Sequence, residues 1–551
     1  MGFNLMAEPW LPLLRLDGTM EEVGLLDAIR NARKYRRLVG TTPTMTAALH
    51  RVLLALVHRV YQPVTEDRWA ELWASETGLP EWQLRDYQDE HGDRFDLFHP
   101  QEPFFQCPAL DNTPGTTAKL VAYRATGSNR TLFDQTTADQ RPLLEPAEAA
   151  RWLITTQAYD TSGTKQPYRT VRHSEGGLGN RYACVLIEGR SLHETLLLNL
   201  LLYSPGGELP LLTTSQDRPV WEEPMPPDPE PDIRSSRGWT DLLTWPSRRI
   251  LLSTTEVRGR TMVNGVVLTP GTIFKGDLAD SEAMAACRRP WLKGNKQGTM
   301  RPVSLDQLRG IWQHSQELLL AADPRWWNTW KARQRANGPL PAQEPERRRP
   351  AALEHIAELV EDGFIPEDTV YTLRVFGQQL GDQGGDTYAW KEEAVPAPVA
   401  LLRAENARVG HVIGYAVSLA NDLGEALQTM QRGYRSEFKS QATKKQEQMP
   451  TDLEIRYWPR LDAPFAQFLR ELGDAVRGIG AETAAAERWG ETASRIADQA
   501  AWQWLQGTPR RDRSLMAASA HFDDFQEARR DLQKIFRSGL ARYTAPPEDT
   551  E

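Results

Sequence analysis

Cysteine is scarce in this chain. Cys107, Cys184 and Cys287 are its only three, and their spacing offers no CxxC pair, which argues against a zinc knuckle or a disulfide framework. Long apolar runs are lacking too: the Leu-rich stretch Leu196–Leu202 is far too short to cross a bilayer, and no signal peptide is evident, so a cytoplasmic protein with no membrane partner is expected. There is no surplus of positive charge. Lys and Arg total 65 against 74 Asp and Glu, a net charge of −9. A free-standing, non-specific DNA binder gains its affinity by releasing phosphate counterions through many cations, so any nucleic-acid role here must be local or shared with partners. The GxSxG, HExxH and kinase signatures are absent as well.

What is present is a soluble globular composition, with 40% hydrophobic and 25% charged residues over 551 positions, long enough for a large main domain and a smaller one. The 18 Trp and 38 Pro point to broad aromatic packing and many loops. Helical patterns are read at Leu25–Tyr35, Met45–Val60, Glu66–Trp73, Pro80–Glu90, Pro146–Thr155, Leu192–Tyr203 and Ala352–Glu361. Strands are read at Arg181–Ile187, Leu242–Leu252, Thr261–Leu268 and Val370–Phe376, with Ser204–Arg237 as a long proline-rich connector. Past Val395–Pro398 the texture changes. Val409, Val412, Ala416, Leu419, Leu423, Leu427 and Met430 step by threes and fours along one helix face, and Pro464–Arg477, Ala481–Leu505 and Leu515–Leu540 repeat the pattern. The expected fold is α+β: a large mixed α/β domain over residues 1–395 with long irregular loops, then an antiparallel four-helix bundle over 396–551.

The segment Phe376–Trp390, FGQQLGDQGGDTYAW, sets three glutamines and four glycines after a strand. Glycine lets backbone approach a partner closely, and glutamine amides carry a donor and an acceptor suited to base edges. A phosphate cradle would instead place its glycines before a helix. Read alone, the segment equally suits a solvated hairpin loop. His91-Gly-Asp-Arg-Phe-Asp96 with His99 has the residue types of a metal-dependent nuclease or related hydrolase, but it is loop sequence with no second cluster to complete it. Glu175–Asn180 is glycine-rich yet precedes a strand, the wrong order for a nucleotide site. Arg288, Arg289, Lys293 and Lys296, with Arg301, can hold phosphate. Lys439, Lys444 and Lys445 form a second basic stretch that suits a nucleic-acid or partner surface, beside Arg432 and Arg435, which equally suit a helix C-terminus.

Taken in order, FNLMAEPWLP near the start, the helix Met45–Val60, FHPQEPFFQ, AYDTSGTK at Ala158–Lys165, LLLNLLLYSP, GWTDLLTWPSRRILL, VFGQQLGDQGG before TYAW, and the terminal helices resemble the CasA family, the large subunits of type I-E CRISPR Cascade complexes. The resemblance spans nearly the whole chain. It implies a subunit without catalytic residues that recognises the protospacer-adjacent motif in duplex DNA, helps open the duplex for guide-RNA pairing, and forms a platform for the helicase–nuclease. The implied partners are the other Cascade subunits and crRNA, double-stranded target DNA and its displaced strand, and that helicase–nuclease. The family's glutamine wedge falls on Gln383, between Asp382 and Gly384; its glycine loop on Ser162-Gly163-Thr164; its lysine finger on Lys275; and its guide-complex docking loop on Phe133, Asp134 and Gln135. Some relatives carry a cysteine cluster in mid-chain. This sequence has none, so neither metal nor cofactor is expected.

Overall fold

The computed structural model describes residues 2–124, 142–292, 296–306, 308–320, 347–381, 384–437, 451–479, 481–509 and 511–544. Its centre is the helix Pro43–Tyr61. Thr42 caps it, its side chain accepting from Met45 N–H, and Pro43 occupies the first turn, where a missing N–H costs nothing. Nearly every residue of this helix is buried, as expected of a helix apolar all round. Its one buried cation, Arg51, is fully partnered: it donates to Glu282 at 2.9 Å, to the Tyr182 hydroxyl at 2.6 Å and to Leu242 O at 2.9 Å.

A three-stranded antiparallel sheet lies beside it in the order Thr387–Pro398, Val370–Leu380, Cys184–Glu188. The first two strands form one long hairpin, paired from Val370 opposite Pro398 up to Leu380 opposite Thr387. A second hairpin, Arg248–Val257 with Arg260–Pro270, and a short one, Gly163–Tyr168 with Val171–Ser174, complete the part of the fold that matters below.

Four long helices follow, Gly410–Glu437, Asp462–Asp474, Glu482–Gly507 and Asp512–Thr544. The first packs on the third and fourth, and the third on the second and fourth. Buried Phe465, Phe468 and Trp489 make their shared aromatic core. Trp312, from the preceding α/β part, inserts against Phe465 at 4.6 Å and donates its indole N–H to Asp462 at 2.8 Å. Gly473 faces Pro398 so closely that a Cβ would stand 2.4 Å from the proline ring. The helices therefore brace the base of the long hairpin, and its tip points the other way.

Several local expectations are corrected. Leu25–Tyr35 is α-helical only to Arg30, a 3-10 turn follows at Ala32–Lys34, and Tyr35–Leu38 is a strand. The Leu-rich helix stops at Leu198 because the Asn199 amide bonds the Thr195 and Ile187 carbonyls and the Ile187 N–H. Leu242 belongs not to a strand but to a short helix, Trp239–Leu243, whose first N–H groups are taken by the Asp217 carboxylate, and the strand begins at Arg248. Strand pairing also runs well into the glutamine–glycine segment. Among the described residues no helix is long and apolar enough to cross a membrane.

Burial holds His50 at a pKa of about 3 and His58 and His193 at about 4; for His50 and His193 nearby arginines act in the same direction. These imidazoles are neutral in the fold and take up protons on unfolding below about pH 6.5, so stability is full above that pH and falls as pH drops toward 4. Each contributes a slope of up to about 1.4 kcal/mol per pH unit. Urea unfolding at pH 7 and pH 5 is expected to show the midpoint falling at the lower pH, and His193→Gln is expected to reduce that fall.

Candidate nucleic-acid interface

The long hairpin ends in a tip of few residues. Gly381 N–H donates to Asp386 O at 2.8 Å and Gly384 N–H to Gly381 O at 2.7 Å, two backbone bonds that close the turn. Gly384 has φ +68°, and a Cβ there would stand 2.5 Å from Ser162 Oγ, so both conformation and contact require glycine. Its carbonyl accepts the Ser162 N–H at 2.9 Å. The tip is thus laid against Ser162-Gly163-Thr164, a segment far away in the chain. Gly163 has φ +120° with nothing within 4 Å of where a Cβ would be. Its conformation disfavours a side chain, and although the residue is half-buried and paired with Ser174, the side on which a Cβ would project is open.

What holds this junction lies beneath it. Asp160 follows the helix Pro146–Tyr159 and binds Arg248 Nε at 2.5 Å and Lys165 Nζ at 2.9 Å. Burial opposes the charged carboxylate, but the two cations outweigh it and hold the Asp160 pKa below its ordinary value. Arg248, almost wholly buried, also donates to Thr161 O at 3.0 Å and Glu175 O at 2.7 Å, tying both flanks of the short hairpin to one guanidinium. A second clamp joins the long hairpin to the same place. Gln378 Nε2 donates to Tyr159 O at 2.6 Å and Asn180 Oδ1 at 2.7 Å, while Asn180 Nδ2 reaches Asp160 O at 2.9 Å. The glycines before Asn180 permit the close approach: a Cβ on Gly177 would meet Ala158 O at 2.4 Å, and one on Gly179 the Tyr159 ring at 2.5 Å. The Glu175–Asn180 run is a packing device under the junction.

The sequence matches the family described as CRISPR-associated protein Cse1 over residues 4–500. The chain belongs to the Cse1 family. It is 30% identical over 525 residues to the CRISPR-associated protein CasA/Cse1 of Thermus thermophilus, covering 89% of this chain and 92% of that protein. The crystal structure of Thermobifida fusca Cse1 superposes with a TM-score of 0.74 at 28% identity, covering 98% of both chains. A chain from a structure titled CRISPR RNA-guided surveillance complex has the same fold, with a TM-score of 0.72 at 20% identity and coverage of 95% and 99%. The family is the one the sequence resemblance pointed to.

Within this Cse1-family chain, Gly163, Thr164 and Gly384 are brought together. Asp382 and Gln383 lie outside the described residues, as do Phe133, Asp134, Gln135, Lys293, Lys439, Lys444 and Lys445. Lys275 is exposed, its N–H donating to Arg234 O at 2.8 Å and its carbonyl accepting from Ser235 Oγ at 2.8 Å. Among the described residues no hydrogen bond joins it to the Ser162–Gly384 junction. Lys296 lies in a two-residue strand paired with Trp291–Leu292, and Arg289 follows Arg288 out of its strand.

Arg288 gains unexpected company. It pairs with Arg301 on one side and Arg347 on the other, and cross-strand partners share a face. Their neighbours Cys287, Pro302 and Arg348 occupy the opposite face, where Cys287 is fully buried. Three arginines therefore stand in a row, with Glu317 3.9 Å from Arg288. Single-segment reading misses this row because two of its members come from other strands.

The His91–His99 cluster does not assemble as ligands. His99 Nδ1 accepts from Gln101 and Glu102 N–H, Asp96 accepts from Phe3 and Phe98 N–H, and His91 packs on Tyr87 at 4.7 Å. Among the described residues no three His, Cys, Asp or Glu side chains converge as a metal-binding group. Arg432 and Arg435 lie in the last turns of the helix Gly410–Glu437.

Removing one member of the buried pair strands its partner. Asp160→Ala is expected to cost about 3–5 kcal/mol, and Gln378→Ala about 1–3 kcal/mol for the buried groups it leaves unbonded, both read as shifts in urea unfolding.

Proposed function

We propose that this chain is the DNA-reading large subunit of a type I-E Cascade complex, without catalytic residues of its own. It recognises the protospacer-adjacent motif in duplex DNA from the minor-groove side, helps open the duplex for guide-RNA pairing, and offers a platform to the helicase–nuclease. The observation that carries this reading is the bond between Gly384 and Ser162. Two segments assigned to one task by family resemblance, yet distant in sequence, form one junction made largely of glycine backbone.

The chemistry suits the task. Without a side chain, Gly163 can approach a minor groove on its open side; that groove's code is degenerate, and its width and shape carry much of the information. Gln383, which lies in sequence between Gly381 and Gly384, is the wedge: its amide can satisfy exposed base edges while the side chain replaces lost stacking, a cost of roughly a few kcal/mol per step. Lys275 supplies a cation to the same groove. The arginine row at Arg288, Arg301 and Arg347, with Arg289, Lys293 and Lys296 in nearby sequence, offers an electrostatic track for phosphate, and Lys439, Lys444 and Lys445 offer a second basic stretch to the displaced strand. The loop at Phe133, Asp134 and Gln135 docks on the guide complex. The net charge of −9 fits a subunit held on a ribonucleoprotein, because assembly supplies the affinity that the chain's own charge does not.

In the complex assembled with guide RNA, Gln383→Ala is expected to reduce R-loop formation on motif-bearing duplex by roughly 10-fold or more while leaving assembly intact. R-loop formation at the unmodified rate would remove Gln383 from the wedge role. Lys275→Ala is expected to narrow the affinity gap between motif-bearing and motif-lacking duplexes, measured by competition binding.

A further inference from the structure

We propose that Tyr388 is a stacking platform for a base of the target DNA that is unpaired when the duplex opens at the hairpin tip. This rests on the DNA-reading role above and adds a recognition residue to it.

The position is set by strand register. Gln379 pairs with Ala389 and Leu380 with Thr387, leaving Tyr388 as the extra residue of a β-bulge. A bulge bends its strand and re-aims the side chain it carries. The re-aimed side chain is exposed at 67%, unlike most tyrosines of this chain, which are buried or half-buried. Among the described residues nothing is hydrogen-bonded to its hydroxyl. The side chain leans along the tip: a Cβ on Gly381 would stand 3.0 Å from the Tyr388 hydroxyl. Gly381 thus keeps clear the space the phenol occupies, and the same glycine closes the turn by bonding Asp386 O. Within that turn Gly384 accepts the Ser162 N–H, and next to Ser162 stands Gly163, open on the side where a Cβ would project.

An aromatic ring is therefore held outward near the end of a braced hairpin, beside Gly381. Every nucleobase has a π-face, so a ring here accepts an unstacked base whatever its identity, whereas an intact pair within the duplex offers no open face. This makes Tyr388 selective for the opened state and places its contribution in the opening step rather than in reading the motif.

The test uses the complete complex with its guide RNA and a motif-bearing target duplex carrying 2-aminopurine at the first pair beyond the motif. Unstacking is followed by fluorescence, and affinity for a short motif-bearing duplex that lacks the target is measured separately. Tyr388→Ala is expected to slow opening by about 5- to 150-fold, the range of one base–aromatic stack, with short-duplex affinity changed less than about twofold. Tyr388→Phe and Tyr388→Trp are expected to retain opening, and a target already unpaired at the first positions to restore Tyr388→Ala. Opening at the unmodified rate in Tyr388→Ala, or a Phe variant as slow as the Ala variant, overturns the stacking role. Failure of Tyr388→Ala to assemble instead assigns the tyrosine to a protein contact and also overturns it. An unmodified complex that opens motif-bearing and motif-lacking duplexes alike overturns the DNA-reading role itself, and the tyrosine's with it.

Discussion

A single buried guanidinium organises the surface on which the functional reading rests. Arg248 opens a strand of the second hairpin, and from there it reaches Asp160, Thr161 and Glu175. Burying an ion pair costs several kcal/mol of desolvation per ion, repaid only when geometry is good and the remaining donors are bonded. Here they are, and the arrangement serves position more than stability. The carbonyls of Thr161 and Glu175 flank the short hairpin that begins at Gly163, so anchoring both fixes where that hairpin starts. Lys165 gives Asp160 a second cation from within the hairpin itself.

The long hairpin meets this anchor as a rigid arm. At its base, helix Asp462–Asp474 packs on strand Thr387–Pro398, with Gly473 against Pro398 and Trp312 joining the aromatic core of the helices. In its middle, Arg374 is paired with Glu392 at 2.7 Å. Near its end, Gln378 is clamped to Tyr159 and Asn180. At the tip, backbone bonds at Gly381 and Gly384 close the turn. A recognition element is most precise when its support is locked by packing and hydrogen bonds, and this arm is supported along its length while its end remains available.

Charge follows the same division between whole and part. An acidic chain carries a row of three arginines because antiparallel register sets Arg301 and Arg347 beside Arg288. Like charges directly opposite one another oppose strand pairing. The small sheet tolerates them through its other face, where Cys287 is buried and Arg348 bonds Glu282 O. A local cationic stripe on an acidic protein favours phosphate near the stripe without making the whole chain bind nucleic acid indiscriminately.

Much of this was legible from residues alone. The capped, apolar helix Pro43–Tyr61 and the long C-terminal helices follow from periodicity, because a helix buries a stripe that its own sequence must supply. The strand at Val370 and the glycine demand at Gly384 were equally local. Other features depend on distant partners. Gln378, Gln379 and the flanking glycines are poor strand formers, yet pairing with Thr387–Pro398 makes strand of the first part of that segment. Asn199 ends one helix and Asp217 starts another through bonds to groups elsewhere in the chain. Arg248, Asn180 and Tyr388 look like ordinary surface residues in sequence. Their roles come from burial, from a clamp and from a bulge, and each exists only once separate segments are in register. The sequence by itself determined most of the elements, the family and the glycine-rich character of the hairpin end. Tertiary structure alone decided that the tip meets Ser162, that three arginines share a face, and that a tyrosine is turned outward, because such juxtapositions are set by pairing and packing between residues that no local pattern connects.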